Sequence, residues 1–254
     1  MAISERDIMG GLAKGLAVIE TFTAERPRQS IAEVSAASGL DRATARRCLL
    51  TLAYQGYADY DGKFFTLTPR ILRLGTACLA TMPLPQIVQP MLDRLSEEIG
   101  ESSSVCILDG SEIVYVARAA QRKVMSVVLM PGSRLPAYCT SMGRMLLSGL
   151  AADDLKSFLT QAAIERRTPK TITGRAALGK AIDRARAEGF AIVDEELELG
   201  LRSIAVPIVD RAGRTVAAIN VSTQSARFSV EAMERDIMPV LRNAKQRVEE
   251  FFFV

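Results

Sequence analysis

The sequence SIAEVSAASGLDRATARRCLLTLAYQG at residues 30–56 predicts two short helices joined by a tight turn. Ser30 and Glu33 have the spacing of a capping box, which marks the start of the first helix. Gly39 ends that helix, because glycine adopts the left-handed conformation of a helix C-terminus without strain. Asp41 is a good N-cap for the second helix. Two helices around such a turn are typical of a helix-turn-helix unit.

The sequences on both sides of this unit predict a winged form of it. Upstream, residues 8–24 carry apolar side chains at three- and four-residue spacing, which indicates an amphipathic helix. Downstream, the aromatic runs 57–60 and 63–67 flank an Asp-Gly pair, which is a strong hairpin signal. We therefore expect a winged helix-turn-helix domain over residues 8–69. A linker helix should follow over residues 70–84, where two prolines end it.

The remaining residues, 85–254, predict a second and larger domain of the α+β class. Strands are expected at residues 103–108, 112–117, 124–129, 190–193, 202–209 and 214–222, and helices at residues 87–99, 141–148, 151–161, 174–188 and 229–251. Strands joined as hairpins, with helices before and after them, indicate an antiparallel sheet covered by helices.

The composition excludes several classes of catalyst. The chain has 254 residues, a net charge of +3 and no histidine, so neither a Ser-His-Asp or Cys-His mechanism nor a histidine metal site can be built. The four cysteines lie far apart and form no C-x-x-C pair, which argues against structural zinc. No glycine-rich phosphate-binding motif is present. We expect neither an enzyme nor a protein that carries a metal or cofactor.

The N-terminal residues mix both charges and lack the apolar segment of a signal peptide. No uninterrupted apolar run approaches the roughly 18 residues that a membrane helix needs. These features predict a soluble, cytoplasmic protein without membrane contact.

The exposed face of the second helix of the helix-turn-helix unit carries residues suited to DNA. A small first turn followed by arginines permits close approach to the major groove and bidentate contact with guanine. A solvated surface helix is the alternative, because residues 1–80 hold ten Lys and Arg against eight Asp and Glu. We expect base contacts from Ala43, Thr44 and Arg47, and phosphate contacts from Arg42, Arg46 and Lys63 at the wing tip.

Polar residues of the second domain are candidates for binding a small acid. Arg134 and Arg202 each offer a planar guanidinium that can hold a carboxylate by two hydrogen bonds. Ser141 opens a helix whose free N–H groups favour an anion. Asn220 and Ser222 alternate along one strand and so share a face. The alternatives are an ion pair of Arg202 with nearby acidic residues and a simple capping role for Ser141.

Several longer motifs resemble the IclR family of bacterial regulators over nearly the whole chain. In the first domain they are GLAKGLAVIE (11–20), SIAEV (30–34) and GLDRATARR (39–47). In the second domain they are GESSSV (100–105), VYVAR (114–118), RLPAYCTSMGR (134–144) and GLRSIAVP (200–207). The segment 134–144 is most similar to the branch that regulates protocatechuate, 4-hydroxybenzoate and β-ketoadipate catabolism, the PcaR, PcaU and PobR type.

The resemblance implies a GAF-like effector domain, dimers that pair into tetramers, and palindromic sites on double-stranded promoter DNA. It implies that the effector is a small organic acid, either an aromatic acid or an intermediate of the β-ketoadipate pathway. A small-molecule sensor without direct DNA readout is the alternative function. The effector pocket implied by the resemblance, together with the residues named above, comprises Arg134, Ser141, Met142, Asp194, Leu201, Arg202, Ser203, Asn220 and Ser222.

Overall fold

The computed structural model describes Ser4 and residues 7–23, 25–75, 83–121 and 129–252. The chain divides into two compact units, Met1–Ala80 and Thr81–Val254. The first unit has one hydrophobic core and the second has two, one on each face of its sheet. Within the described ranges, no helix is long and apolar enough to cross a membrane.

The N-terminal unit contains the predicted helices. They are α1 (Gly10–Glu20), α2 (Ile31–Ser38) and α3 (Arg42–Tyr54). The capping box forms at the start of α2: Ser30 Oγ accepts from the Glu33 N–H, and the Glu33 carboxylate accepts from the Ser30 N–H at 2.7 Å. The apolar faces of the three helices meet the wing in a core of Val18, Val34, Ala45, Leu49, Ala58 and Phe65.

The wing is a three-stranded antiparallel sheet rather than a simple hairpin. Its strands are β1 (Arg28–Ser30), β2 (Ala58–Tyr60) and β3 (Phe64–Leu67), in the order β1-β3-β2. The sequence prediction lacks β1, because three residues after a proline are too few to show an alternating pattern. A 3₁₀ turn, Pro69–Ile71, leads into helical residues 72–75. The rest of the predicted linker helix, up to residue 82, lies outside the described residues.

The C-terminal unit is built on a six-stranded antiparallel sheet. Its strands are β4 (Ser102–Asp109), β5 (Glu112–Ala119), β6 (Arg134–Pro136), β7 (Ala191–Asp194), β8 (Leu201–Val209) and β9 (Thr215–Gln224). The order across the sheet is β6-β5-β4-β9-β8-β7. The short edge strand β6 was not predicted, and the strand predicted at 124–129 falls almost entirely on residues outside the described ranges.

Helices cover both faces of this sheet. They are α4 (Pro83–Ile99), α5 (Ser141–Ser148), α6 (Ala152–Gln161), α7 (Arg175–Glu188) and α8 (Met238–Phe252). One face packs against α4 and α8, and the other packs against α5 and α7. The N-terminal winged helix-turn-helix and this α+β second domain agree with the predicted fold class.

Helix α4 begins earlier than predicted, at Pro83 rather than Ile87. Prolines are tolerated in the first helical turn, where the N–H groups have no intrahelical partner. Pro83 and Pro85 therefore lie in the first turn of α4. The predicted helix over 229–251 is also interrupted, because residues Met233–Ile237 form a π-helical turn between Val230–Ala232 and α8.

Strand β5 contains a β-bulge. Val105 pairs with Ala117 and Cys106 pairs with Tyr115, so Val116 is an extra residue on β5. A bulge of this kind shifts the alternation of side chains by one residue. Ile113 and Tyr115 therefore face α5, whereas Val116, Ala117 and Ala119 face α4 and α8.

Candidate nucleic-acid interface and effector cavity

Helix α3 presents the residues that the sequence predicts for DNA contact. Asp41 caps the helix: its carboxylate accepts from the Thr44 N–H at 2.9 Å. Ala45 and Leu49 are buried on the core side. The predicted contact residues Arg42, Ala43, Arg46 and Arg47 are exposed, and Thr44 is half-buried. Small side chains in the first turn, with arginines beside them, would allow α3 to approach nucleic acid closely.

The wing tip adds positive charge at an ordered turn. Asp61 accepts from the backbone N–H groups of Lys63 and Phe64 at 3.0 and 2.8 Å, and these bonds together with the Arg28 ion pair hold the pKa of its carboxyl well below the ordinary value. Lys63 is exposed, and its Nζ lies 5.1 Å from the centre of the Phe64 ring. The Arg28 guanidinium lies 4.3 Å from the same ring. Arg28 is a second wing cation that the sequence analysis missed, because β1 was not predicted.

An apolar groove of about 620 Å³ runs beside α1 in the N-terminal unit. Thr44 and Arg47 lie along it, together with exposed apolar residues of α1 and of the segment after the wing. These exposed apolar side chains include Leu12, Leu16 and Leu74. A contiguous apolar surface of this kind on a small unit marks an interaction surface.

A small cavity in the C-terminal unit lies between the start of α5 and the sheet. It brings together six of the predicted effector residues: Ser141, Met142, Leu201, Ser203, Asn220 and Ser222. It is also lined by residues that the sequence analysis did not single out: Tyr115, Cys139, Thr140, Val193 and Leu197. The volume open to the centre of a water molecule is about 20 Å³, room for one water. A larger ligand therefore requires the lining side chains to move.

Two polar atoms at this cavity are buried without a partner. Ser141 is 1% exposed and Asn220 is 3% exposed. Ser141 Oγ and Asn220 Oδ1 have no hydrogen-bond partner among the described residues, although the Asn220 amide nitrogen donates to Ser222 Oγ at 2.9 Å. Buried polar groups left unpaired cost about 1–3 kcal/mol each. A ligand that hydrogen-bonds to both atoms would remove this cost.

The remaining predicted effector residues are engaged elsewhere. Arg134 lies on the edge strand β6 and pairs with Asp109 and Glu112, each at 2.7 Å. These carboxylates raise the pKa of Arg134. The structure therefore does not support a role for Arg134 at the cavity. Arg202 pairs with Asp194 at 2.7 Å, and its guanidinium also donates to the carbonyl groups of Ser225 and Phe228. Arg202 thus forms the ion pair with an acidic residue that is the alternative to effector binding, and neither partner lines the cavity.

A buried ion pair joins α5, the helix that begins at Ser141, to the segment after β7. Arg144 of α5 forms two hydrogen bonds of 2.8 Å with the Glu196 carboxylate, and both side chains are less than 10% exposed. Arg144 also donates to the Tyr138 carbonyl at 3.2 Å. This pair fixes the residues after β7 against the helix that carries Ser141.

A second anchor holds the turn after β7. Glu195 has a positive φ of 57°, an uncommon conformation outside glycine. Its carboxylate accepts from Lys170, from the Gly200 N–H at 2.7 Å and from the Ser225 hydroxyl at 3.0 Å. These bonds, that of Lys170 first, lower the pKa of Glu195 to about 2.

The Cys139 thiol at the cavity is not activated as a nucleophile. Burial raises the pKa of the Cys139 thiol to about 11, so this cysteine stays protonated near neutral pH. Within the described residues, no cluster of His, Cys, Asp and Glu side chains could hold a metal ion. The geometry fits the binding of a small polar molecule.

Comparisons with known proteins agree with this arrangement. Residues 11–62 match the IclR helix-turn-helix domain, and residues 76–250 match the C-terminal domain of bacterial transcriptional regulators of the IclR type. The Pca regulon regulatory protein of Pseudomonas putida is 43% identical over 94% of this chain and 83% of its own length.

Solved structures show the same fold. A transcriptional regulator from Rhodococcus sp. RHA1 is 48% identical, with a TM-score of 0.80 over 96% of this chain and 98% of the other. The inducer-binding domain of a PobR double mutant from Acinetobacter, solved with 3-hydroxybenzoic acid, is 32% identical, with a TM-score of 0.62 over 66% of this chain and 98% of the other. The chain belongs to the IclR family of bacterial transcriptional regulators.

Proposed function

We propose that this regulator binds palindromic promoter DNA and that a small carboxylic acid sets its activity from the cavity beside α5. The acid is an aromatic acid or an intermediate of the β-ketoadipate pathway. The observation that carries the proposal is the pair of unpartnered buried atoms, Ser141 Oγ and Asn220 Oδ1, at one cavity. Buried donors and acceptors without partners fit a polar ligand rather than apolar packing.

The exposed face of α3 supports the DNA part of the proposal. Ala43, Thr44 and Arg47 read bases, and the neighbouring cations Arg42, Arg46 and Lys63 contact phosphates. The net charge of +3 is small, so nonspecific attraction to DNA is weak. Specific contacts and the symmetry of a dimer supply most of the selectivity.

The apolar side chains exposed on α1 and on the segment after the wing support self-association. Leu12 and Leu16 are 61% and 48% exposed, and Leu72 and Leu74 are 66% and 53% exposed. Covering such side chains removes apolar surface from water, which favours a homodimer. Two copies of α3 related by two-fold symmetry would match the two halves of a palindromic site. The cytoplasm, where promoter DNA lies, is the proposed location.

The related inducer-binding domain supports the effector class, because it was solved with 3-hydroxybenzoic acid. In this chain we assign Ser141, Met142, Leu201, Ser203, Asn220 and Ser222 to the effector site. Met142 and Leu201 provide apolar surface for a ring, while the serines and the asparagine provide polar contacts. Asp194 and Arg202 shape the site through their ion pair rather than by touching the ligand.

One experiment tests both halves of the proposal. Mobility-shift titration of the protein against its own upstream region, with and without protocatechuate or 4-hydroxybenzoate, should show specific binding that the acid changes. Arg47→Ala should weaken specific binding by about 5- to 150-fold, the value of one bidentate base contact. Asn220→Leu should leave DNA binding intact but raise the acid concentration needed.

The matched control is Arg211→Ala, which removes an exposed arginine from a turn of the C-terminal unit and should change neither property. If Arg47→Ala binds the upstream region as tightly as the wild type, the assignment of base contacts is wrong. If the wild type binds the acid but no specific DNA, the protein is a sensor without direct DNA readout.

A further inference from the structure

Arg118 on β5 faces the same side of the sheet as the effector cavity. It pairs directly with Ser104 on β4, and Ser104 pairs directly with Asn220 on β9. Residues directly opposite each other in antiparallel strands place their side chains on the same face. Arg118, Ser104 and Asn220 therefore form a row across three adjacent strands, and the last of them, Asn220, lines the cavity.

The β-bulge in β5 is what directs Arg118 to this face. In a regular strand, side chains with an even offset share a face, so Tyr115 and Ala117 would point to the same side and Arg118 to the other. The extra residue Val116 reverses this order: Tyr115 lines the cavity, whereas Ala117 packs in the core beneath α4 and α8. Bulges often occur next to functional sites, where they redirect a side chain.

The Arg118 guanidinium has no carboxylate within ion-pair distance among the described residues, and it donates to the Ser104 hydroxyl at 3.0 Å. Arg134, Arg144 and Arg202, by contrast, are each paired with Asp or Glu. Arg118 is half-buried. Its pKa is lowered, because burial removes water from the cation without supplying an anion.

Arg118, whose guanidinium has no carboxylate partner, and Asn220, whose amide oxygen is unpartnered, are both paired with Ser104 across the sheet, and together they predict the chemistry of the ligand. The guanidinium stays charged in proteins and binds a carboxylate through two parallel hydrogen bonds. The free Asn220 Oδ1 is an acceptor, so it matches a hydroxyl group that donates. The two groups together favour a hydroxy-carboxylic acid over a neutral ligand or a simple hydrocarbon acid.

We propose that Arg118 is the residue that binds the effector's carboxylate. This inference rests on the proposed function and adds the orientation of the ligand. The carboxylate lies at Arg118 and Ser104, and the body of the ligand extends past Asn220 toward Met142 and Ser141. The two arginines predicted from the sequence, Arg134 and Arg202, cannot take this role, because acidic partners neutralise both of them.

The test compares an acid with its neutral amide. The full-length protein is titrated by calorimetry with protocatechuate and 4-hydroxybenzoate, and with the amide of each. The wild type should prefer the acid by about 10- to 150-fold, the range of a hydrogen bond to a charged group. Arg118→Gln should reduce that preference to about 1, because amide and acid then meet an uncharged partner.

Two further variants make the result specific. Arg134→Gln removes an arginine in the same way but outside the cavity, and it should keep the wild-type preference. Arg118→Lys keeps the positive charge and loses the bidentate geometry, so it should retain part of the preference, and it carries the test if Arg118→Gln does not fold. Thermal unfolding of each variant checks that it is folded.

The possible failures are distinguishable. Two results would overturn the assignment of Arg118 while the proposed function stands, provided that the wild type binds an acid. In the first, folded Arg118→Gln keeps the preference for the acid over its amide. In the second, Arg118→Lys keeps the full wild-type preference and Arg134→Gln loses that preference. If the wild type binds neither acid, the aromatic form of the proposed function is overturned, and with it the assignment of Arg118 to the carboxylate of an aromatic acid.

Discussion

At the scale of single residues, Gly143 is required by the close approach of α5 to the preceding segment. A Cβ at this position would lie 2.2 Å from the Ala137 carbonyl oxygen and 2.4 Å from its Cα. Backbone atoms cannot move aside cheaply, so Gly143→Ala should lower the free energy of unfolding by about 1–3 kcal/mol, as overpacked core sites do. Urea unfolding curves measure the change.

Gly179 in α7 is the matched control, because it is also a helical glycine of the C-terminal unit. A Cβ there would meet Leu159 Cδ1 at 3.6 Å, an ordinary contact. Gly179→Ala should therefore stabilise the protein by about 0.5–1 kcal/mol through helix propensity. Equal effects of the two substitutions would contradict the close approach inferred at Gly143.

At the scale of elements, the turn after β7 should lose stability in acid. The pKa of Glu195 is lowered to about 2 from an ordinary value of 4.5. A carboxyl group whose pKa is lower in the folded state contributes stability that is present above the unfolded pKa. That contribution disappears as pH falls from about 4.5 to about 2.

The variant Glu195→Gln should therefore show a shallower fall in stability over this pH range than the wild type, measured by thermal unfolding. Lys170→Met should have a similar effect, because Lys170 supplies the largest part of the pKa shift. The double variant should behave like Glu195→Gln, since Lys170 acts on this pKa only through the Glu195 carboxylate. Additive effects would show that the acid sensitivity arises elsewhere.

Among the helices and strands, the sequence could predict the features that depend on neighbouring residues. Helix α3 and its caps follow from local chemistry, because Asp41 and the capping box lie within a few residues of the groups they bind. The bulge at Val116 could not be predicted, since every residue from Ile113 to Ala117 is apolar and fits either face. The ion pairs of Arg134 join residues 22 and 25 positions apart, and such distances depend on strand register.

The candidate site, like the fold, could be predicted only in part from the sequence. Ser141, Asn220 and Ser222 were identified because strand alternation and a helix start define their positions. Arg118 was missed, although the motif VYVAR contains it, because regular alternation from Tyr115 places it on the opposite face. The sequence pattern therefore identified polar residues of the cavity. The register of the strands in the structure was needed to identify Arg118, the cation proposed to bind the effector.

At the scale of the whole molecule, each unit has a hydrophobic core of its own. The described residues that line the proposed effector cavity, and Arg118 with them, belong to the unit Thr81–Val254. A fragment of residues 81–254 should therefore fold cooperatively and bind the acid with an affinity within about threefold of the full-length value, because no binding group is lost; a threefold change is under 0.7 kcal/mol. Calorimetric titration of both proteins measures this.

Acid binding in one unit and DNA binding in the other should affect each other. If the acid changes DNA affinity, DNA must change acid affinity by the same factor, commonly about 5- to 150-fold. Upstream DNA should therefore shift the acid affinity of the full-length protein and leave that of fragment 81–254 unchanged. A folded fragment that fails to bind the acid would place part of the binding site in the N-terminal unit. A fragment that responds to DNA would place DNA contacts outside α3 and the wing.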